Sequence, residues 1–570
     1  MQNLFLDLGL IIIVATILAY LARLIKQPVI PAYILTGYLL GPWRGLITDK
    51  TTIQTLSEIG ITFLLFIVGL EIDFRKLKHI GLAGSLGGVI QIVAVFATGF
   101  IVAALFGFVP LEAIYIGIVI TFSSTMVVLK LLSDKRELDT LHGRITIGIL
   151  LLQDVFAIFA LSILATLDHF SAAALLKSVF GSIVIIVIAW LLSKYVFPRM
   201  FKIAADTQEL LMLLSIGVLF LFAIAFNYIG FSIAIGAFIA GVTLANLPYN
   251  IEIIGKVTSL RDFFATLFFV SLGMELVIKD FGHLVLPLIV FLAIIMVFKP
   301  LLVSFVTAYF GFKKRTAFYT GMSLAQISEF SLIVVSQGLY LGHVSQDIFS
   351  LTVLLGAISI TMTSYFIKYD TAWYYRFSRR LEFLDKWTKS DQEELEYKPD
   401  FKAEAIVLGH NRIGFSIART LRKLRRKMMV VDFNPEVVKY MMQNKIPCMY
   451  GDVGDLETIQ RLPFKTARLV ISTIPDARDN LLIVKKSKEA NKKIIVYVTA
   501  NDVETALTLY DAGADYVILP HFLGGEHVSL LIQNFTGKLD KILELKLNHI
   551  KELHQRRLMG HEHPHHEKAR

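Results

Sequence analysis

A single cysteine, Cys448, occurs in 570 residues. One thiol cannot form an intrachain disulfide, and it suggests a reducing compartment for the part of the chain that holds it. Charge is scarce as well: Asp, Glu, Lys and Arg make up 18% of residues against 55% apolar, with mean hydropathy +0.64. This is the composition of a membrane protein. No basic segment precedes the first apolar run and no small-residue cleavage site follows it, so that run is expected to stay as a helix rather than be removed as a signal peptide. A T-V-G-Y-G filter loop is absent, which counts against a potassium channel. The net charge of +10 does not call for nucleic acid, because cytoplasmic loops of membrane proteins carry an excess of Lys and Arg.

What charge there is gathers in the C-terminal third, and the remainder reads as thirteen apolar stretches of spanning or near-spanning length: 4–25, 29–47, 53–70, 84–108, 111–132, 145–167, 172–196, 210–229, 231–247, 263–277, 284–305, 317–340 and 348–367. With the N-terminus outside, the inner loops hold seventeen Lys and Arg and the outer loops four, so the hydrophilic C-terminal region is expected in the cytoplasm. Thirteen spans also permit two six-helix halves of inverted topology around a central seventh helix. The fifth member of each half is interrupted by polar residues, Thr121 to Thr125 including Ser123 and Ser124 in one, and Ser323 to Phe330 including Glu329 in the other. Small polar residues at matching places predict discontinuous helices whose free backbone groups can serve an ion near the midplane. Ordinary interhelical packing is the plainer reading of Ser123 and Ser124.

Three charged or amide groups inside apolar runs need a purpose. Gln153-Asp154 sits in the middle of the 145–167 run, where a carboxylate costs about 2.5 kcal/mol or more. Such an acid is a proton or cation carrier, or else one half of an ion pair that holds the bundle. Lys299, directly before Pro300, must find Glu329, Asp154 or unwound carbonyls. Glu71, Asp73 and Glu275 lie at predicted helix ends, where solvated or capping roles suffice. If one carboxylate holds either a proton or a cation, the two ligands compete and exchange follows. Gln153 beside Asp154 supplies an oxygen without a second charge, which disfavours a strongly hydrated small cation and keeps the proton number low, so electroneutral exchange is expected, K⁺ ahead of Na⁺.

The membrane part resembles the monovalent cation:proton antiporter-2 family, and within it the Kef-type potassium efflux systems. The resemblance rests on Gly37-Tyr38-Leu39-Leu40-Gly41-Pro42, Glu58-Ile59-Gly60, Phe66-Ile67-Val68-Gly69-Leu70-Glu71, Phe122-Ser123-Ser124-Thr125, Gln153-Asp154, Gly236-Ala237-Phe238-Ile239-Ala240-Gly241 and Phe268-Phe269-Val270-Ser271-Leu272-Gly273-Met274. It implies a core domain moving against a dimerisation domain, hence a homodimer, with Asp154 as the ion-carrying carboxylate. Electrogenic sodium:proton relatives carry two adjacent aspartates where this chain has Gln153-Asp154.

Beyond residue 370 a charged segment, 371–401, reads as a helical cytoplasmic linker. From 402 to 525 short apolar strands (405–408, 428–431, 447–450, 469–473, 494–498 and 516–519) alternate with amphipathic helices, the pattern of a parallel, doubly wound Rossmann-like sheet. The turn Gly409-His410-Asn411-Arg412-Ile413-Gly414 follows the first strand and Asp432 ends the second, which together predict a phosphate site at a helix N-terminus and an acid for ribose hydroxyls. Asn411 replaces the glycine that admits a pyrophosphate, so AMP is expected ahead of NAD(H) or ATP; a sheet that has lost its ligand is the plainer reading. This segment resembles the nucleotide-binding domain of Trk-type regulators of potassium conductance through Gly409 to Gly414, Asp432, Gly451-Asp452, Asp476 to Asn480 and Asp511 to Asp515. In that family such domains pair and gate an attached transporter or channel. The end of the chain, 526–570, is expected as a helix and a polar tail in which His561, His563, His565 and His566 could chelate a metal but read more simply as disorder.

The sequence therefore predicts a polytopic helical antiporter of the plasma (inner) membrane, not an enzyme, exchanging K⁺ or Na⁺ for H⁺ under a nucleotide-binding cytoplasmic domain. A nucleotide-gated channel and a membrane-tethered oxidoreductase are the competing readings. The second lacks any evident catalytic acid beside the cofactor turn.

Overall fold

The computed structural model describes residues 4–533 apart from 26, 48–49, 72–80, 136, 138–139, 165–186, 206, 229–232, 246, 278–280, 313, 378–379, 382–395, 398–402, 411, 433–434, 452 and 455. Asp73, Asn411, Asp452 and the four tail histidines thus lie outside the described residues, as do residues 172–186 of the seventh apolar stretch. The chain divides into two units, residues 1–388 and 389–567.

The first unit is helical. In chain order it comprises α1 (Leu4–Leu24), α2 (Ile30–Tyr38), α3 (Lys50–Glu71), α4 (Gly81–Leu105), α5 (Pro110–Thr121), α6 (Thr125–Asp134), α7 (Leu141–Leu164), α8 (Phe197–Ala204) and α9 (Gln208–Tyr228). It continues with α10 (Ile233–Ala245), α11 (Asn250–Met274), α12 (Val285–Ala293), α13 (Lys299–Tyr309), α14 (Lys314–Ser323), α15 (Glu329–Tyr340), α16 (Gln346–Lys368) and α17 (Asp370–Phe377). Among the described residues, seven helical segments are long and apolar enough to cross a membrane. α11 starts well before the predicted stretch at 263, so Lys256 and Arg261, expected in a loop, are helical. Gly255, Val257, Thr258 and Ser259 beside those charges are weak helix formers, so packing of α11 against α3 rather than propensity carries the helix past the point where hydropathy ends it.

Several prolines of this unit stand where a missing N–H does least harm. Pro31 and Pro110 lie in the first turns of α2 and α5. Pro300 is preceded by a π turn over Ile294–Phe298, and Pro198 by another over Leu192–Val196. In the first, the Lys299 N–H bonds to the Ile294 carbonyl five residues back. The inserted residue makes room for the proline ring and swings Lys299 inward, where it is fully buried.

Glycines of the sequence motifs act by close approach. A Cβ at Gly37 would strike the Val270 carbonyl and one at Gly273 the Ile34 carbonyl; likewise Gly69 meets the Phe238 carbonyl and Gly241 the Phe66 carbonyl. These reciprocal pairs let α2 lie against α11 and α3 against α10 backbone to backbone, the packing that small residues allow in lipid.

The second unit is a seven-stranded sheet in the order β1-β4-β3-β2-β5-β6-β7, with β1 (Glu396–Tyr397), β2 (Ala405–Leu408), β3 (Met428–Asp432), β4 (Cys448–Tyr450), β5 (Leu469–Ser472), β6 (Ile495–Thr499) and β7 (Tyr516–Ile518). The last six are parallel, and the order reverses at β2, the topological switch point of a dinucleotide-binding fold. β1 corrects the expected linker: two of its residues pair antiparallel with β4 at the edge. A two-residue edge strand shows no hydrophobic period and so left no trace in the sequence pattern.

Replacing Gly241 with Val should lower the melting temperature of the detergent-purified protein, with overpacking worth about 1 to 3 kcal/mol. Gly217→Ala on α9, where no neighbour lies within 4 Å, should leave it unchanged or raise it. Equal melting of the Gly241→Val variant and the wild type would refute the packing account.

Candidate functional site

Both predicted interruptions are real breaks, and they meet. α5 stops at Thr121 and α6 starts at Thr125; α14 stops at Ser323 and α15 starts at Glu329. Each break leaves carbonyls without a helical partner in a region where no water competes, so each must find a protein donor. They do so through side chains. Ser331 Oγ donates to the Val119 carbonyl at 2.7 Å and Gln91 Nε2 to Thr121 at 3.4 Å, while Gln326 Nε2 adds a bond at 3.3 Å to the Ser124 carbonyl, which already accepts from Val128 N–H. On the other break, Ser123 Oγ donates to Leu324 at 3.0 Å and Thr363 Oγ1 to Ala325 at 2.6 Å.

Lys299 closes the account. Its three N–H donors reach the carbonyls of Ile120 at 3.1 Å, Phe122 at 3.1 Å and Gln326 at 2.9 Å. Of the partners open to it in sequence, unwound carbonyls are the ones it takes; among the described residues it makes no ion pair. The ammonium sits at the C-terminal end of α5 and on the second break just past α14, where helix dipoles present negative charge.

The carboxylates occupy the opposite ends. Asp154, on α7 and 5% exposed, accepts from Thr125 Oγ1 at 2.9 Å. Glu329, 4% exposed and first in α15, interacts with the Ser124 hydroxyl and the Met126 backbone N–H. Its Oε2 is buried without a hydrogen-bond partner, as is Gln326 Oε1. Two buried acids therefore flank the first turn of α6, whose free N–H groups and dipole favour negative charge. The cap residues Ser124 and Ser328 accept from Val127 N and Phe330 N.

Gln153 does not point at the acids. Its Oε1 accepts from Ser123 N–H at 2.8 Å, and its Nε2 donates to Gln91 Oε1 at 2.7 Å. Sequence reading missed Gln91 and Thr363, and took Gln326 only as part of the predicted break. Each is a polar residue inside an apolar run, the same signal that marked Asp154, but an amide or hydroxyl costs less to bury than a charge and so drew less notice.

In the second unit the Gly409 turn lies at the switch point, directly after β2. Gly409 has φ +85°, a region that favours glycine, and a Cβ at Gly414 would strike the Gly409 carbonyl. Asp432 Oδ2 accepts from His410 N–H at 2.7 Å, so the acid that ends β3 also shapes the turn. Gly409, Gly414 and Asp432 are thus brought together at the start of α18 (Arg412–Lys423). Asn411 and Asp452 lie outside the described residues, and so does the side chain of Arg412. The turn fits a phosphate at a helix N-terminus.

Comparison with known proteins matches the sodium/hydrogen exchanger transmembrane model over residues 10–368 and the TrkA-N domain over residues 405–520. K(+) efflux antiporter 5 of Arabidopsis thaliana is 31% identical over 71% of this chain and 72% of its own length. The Escherichia coli (strain K12) protein YbaL, named as a cation/proton antiporter, is 28% identical over 89% of this chain and 93% of its own. The glutathione-regulated potassium-efflux protein KefC of Escherichia coli is 25% identical over 85% and 77%. The chain therefore belongs to the transmembrane sodium/hydrogen exchanger family, as a Kef-type member that carries a C-terminal TrkA-N domain.

Proposed function

We propose that the protein is a secondary antiporter that exchanges a monovalent cation, K⁺ ahead of Na⁺, for H⁺, under the control of an adenine nucleotide on its TrkA-N domain. The observation that carries this reading is the charge arrangement at the breaks. Two buried carboxylates flank the N-terminal turn of α6 while the nearby ammonium is held by backbone carbonyls, which places Asp154, oriented by Thr125, to serve a mobile cation or proton. The carboxylate is neutralised by one or the other, with Thr125 holding its orientation, and the competition prevents uncoupled leak. The relatives named for K⁺ efflux support potassium as the cation.

The finer reading follows from the loop charges: thirteen spans in two inverted halves, N-terminus outside, TrkA-N domain in the cytoplasm, and a homodimer in the plasma (inner) membrane. Control from the cytoplasmic side has a physical route within the first unit. Lys135, just past α6, donates to the Ile367 carbonyl at the end of α16 and pairs with Asp370, the first residue of α17, which begins the segment leading to the nucleotide domain. The same ammonium pairs with Glu137, which contacts His142 on α7, the helix of Asp154. Displacement of α17 is thereby felt at the cytoplasmic ends of both helices that hold the Asp154–Thr125 contact. A nucleotide biases transport by binding the two arrangements unequally, with couplings of about 1 to 3 kcal/mol.

In proteoliposomes, Asp154→Asn should abolish cation-driven proton movement read by an internal pH dye while the protein remains folded. Normal exchange by that variant would end the single-carrier mechanism. Wild-type exchange is expected to be electroneutral, and a K⁺-dependent transport current across a supported membrane would show otherwise. Asp432→Ala should weaken AMP binding to the full-length protein by calorimetry and shift the nucleotide dependence of flux, with Asp154-dependent exchange retained. Should none of AMP, ATP, NAD⁺ or NADH bind the wild type, the regulatory reading fails.

A further inference from the structure

The two buried amides beside the ion site form a chain whose direction is fixed at both ends. It starts at the Ser123 backbone N–H, which can only donate, so the Gln153 group facing it at 2.8 Å must be the oxygen. The Gln153 amino group then points to Gln91 at 2.7 Å, and the atom receiving it must be Gln91 Oε1. This leaves the Gln91 amino group for the Thr121 carbonyl at 3.4 Å, which can only accept. Neither amide can flip without setting like against like at a backbone group, at a cost of about 1 to 3 kcal/mol for each buried group left unpaired.

The chain's two ends are the last residue of α5 and the middle of the first break. Gln91 lies on α4, 1% exposed, and α4 packs against α5, α7 and α13. We infer that Gln91 is a positioning residue of the ion site: it orients the Gln153 amide, and through it holds Ser123 and the start of α6 in register with Asp154. The next residues of the break, Ser124 and Thr125, are those that meet Glu329 and Asp154, so a shift of the Ser123 amide is passed on to both acids. Gln91 touches no ion in this account. The inference rests on the exchange reading above and assigns a role to a residue outside its carboxylates.

A carboxyl group tests the geometry because it can play Gln91's part only when protonated. In Gln91→Glu the protonated acid accepts from Gln153 Nε2 with one oxygen and donates its O–H to the Thr121 carbonyl. The ionised acid has nothing to donate and sets a negative charge against that carbonyl. The charged groups on elements packed against α4 near the relay are Asp154 on α7 and Lys299 on α13, present equally in the wild type. Full-length wild type, Gln91→Glu and Gln91→Leu would be compared in proteoliposomes by dye-read proton flux driven by K⁺ and by Na⁺ from acid to alkaline pH.

The expected result is that Gln91→Leu raises the half-saturating cation concentration about tenfold at every pH, the equivalent of one lost buried hydrogen bond. Gln91→Glu should match the wild type at the acid end and lose affinity as pH rises through the introduced group's pKa. A Gln91→Glu profile superimposable on the wild type would overturn the inference, as would unchanged cation affinity in Gln91→Leu. If Gln91→Leu does not fold, the pH profile of Gln91→Glu decides alone. Should the wild type exchange neither cation, the exchange reading fails by itself, and the relay is judged by melting: Gln91→Glu should lose stability relative to wild type as pH rises, and parallel melting profiles refute it.

Discussion

Unsatisfied backbone at two crossed helix breaks is the constraint that organises this membrane unit. Interrupting α5–α6 and α14–α15 exposes carbonyls and N–H groups where no solvent can reach them, and each has to be answered by a side chain brought from elsewhere. The answers come from five other helices or breaks: Gln91 on α4, Gln153 on α7, Lys299 on α13, Ser359 and Thr363 on α16, and the facing break itself. A pair of breaks that would cost several kcal/mol alone becomes the centre on which the helices are registered.

Charge is sorted by the same geometry. The ammonium goes to the carbonyl ends and the carboxylates to the amide end, each where the half-helix dipole favours it. A Lys299–Asp154 ion pair would have neutralised the carboxylate and left the carbonyls unanswered. Carbonyls hold Lys299 instead, and the neutral hydroxyl of Thr125 orients Asp154. That separation sets the ammonium and the carboxylates at opposite ends of the breaks.

Around this centre the chain uses cheap devices to keep precise placements. A π turn ahead of Pro300 adds the residue that turns Lys299 inward. Glycines at 37, 69, 241 and 273 bring backbones together so that α2, α3, α10 and α11 pack as one body. At the cytoplasmic side, Lys135 ties the end of α6 to Asp370, so the segment that leads toward the TrkA-N domain is anchored to the transport helices by a partly buried ionic contact.

Much of this was legible in the amino-acid order because membrane insertion is a harsh filter. Apolar runs, loop charge and the cost of a midplane acid are each large and local, so helices, the breaks at 121–125 and 323–329, and Asp154 could be read directly, as could the parallel sheet from its alternation of strands and helices. Partnerships could not. Whether Lys299 meets an acid or a carbonyl, which way Gln153 turns its oxygen, and that Gln91 stands behind it all depend on contacts between residues 27 to 202 positions apart. The same holds for β1, two residues in a charged segment that become a strand only because β4 offers an open edge. Sequence determined which groups had to be buried; tertiary structure decided which of them satisfy one another, since hydrogen-bond direction is set by the neighbour and not by the residue alone.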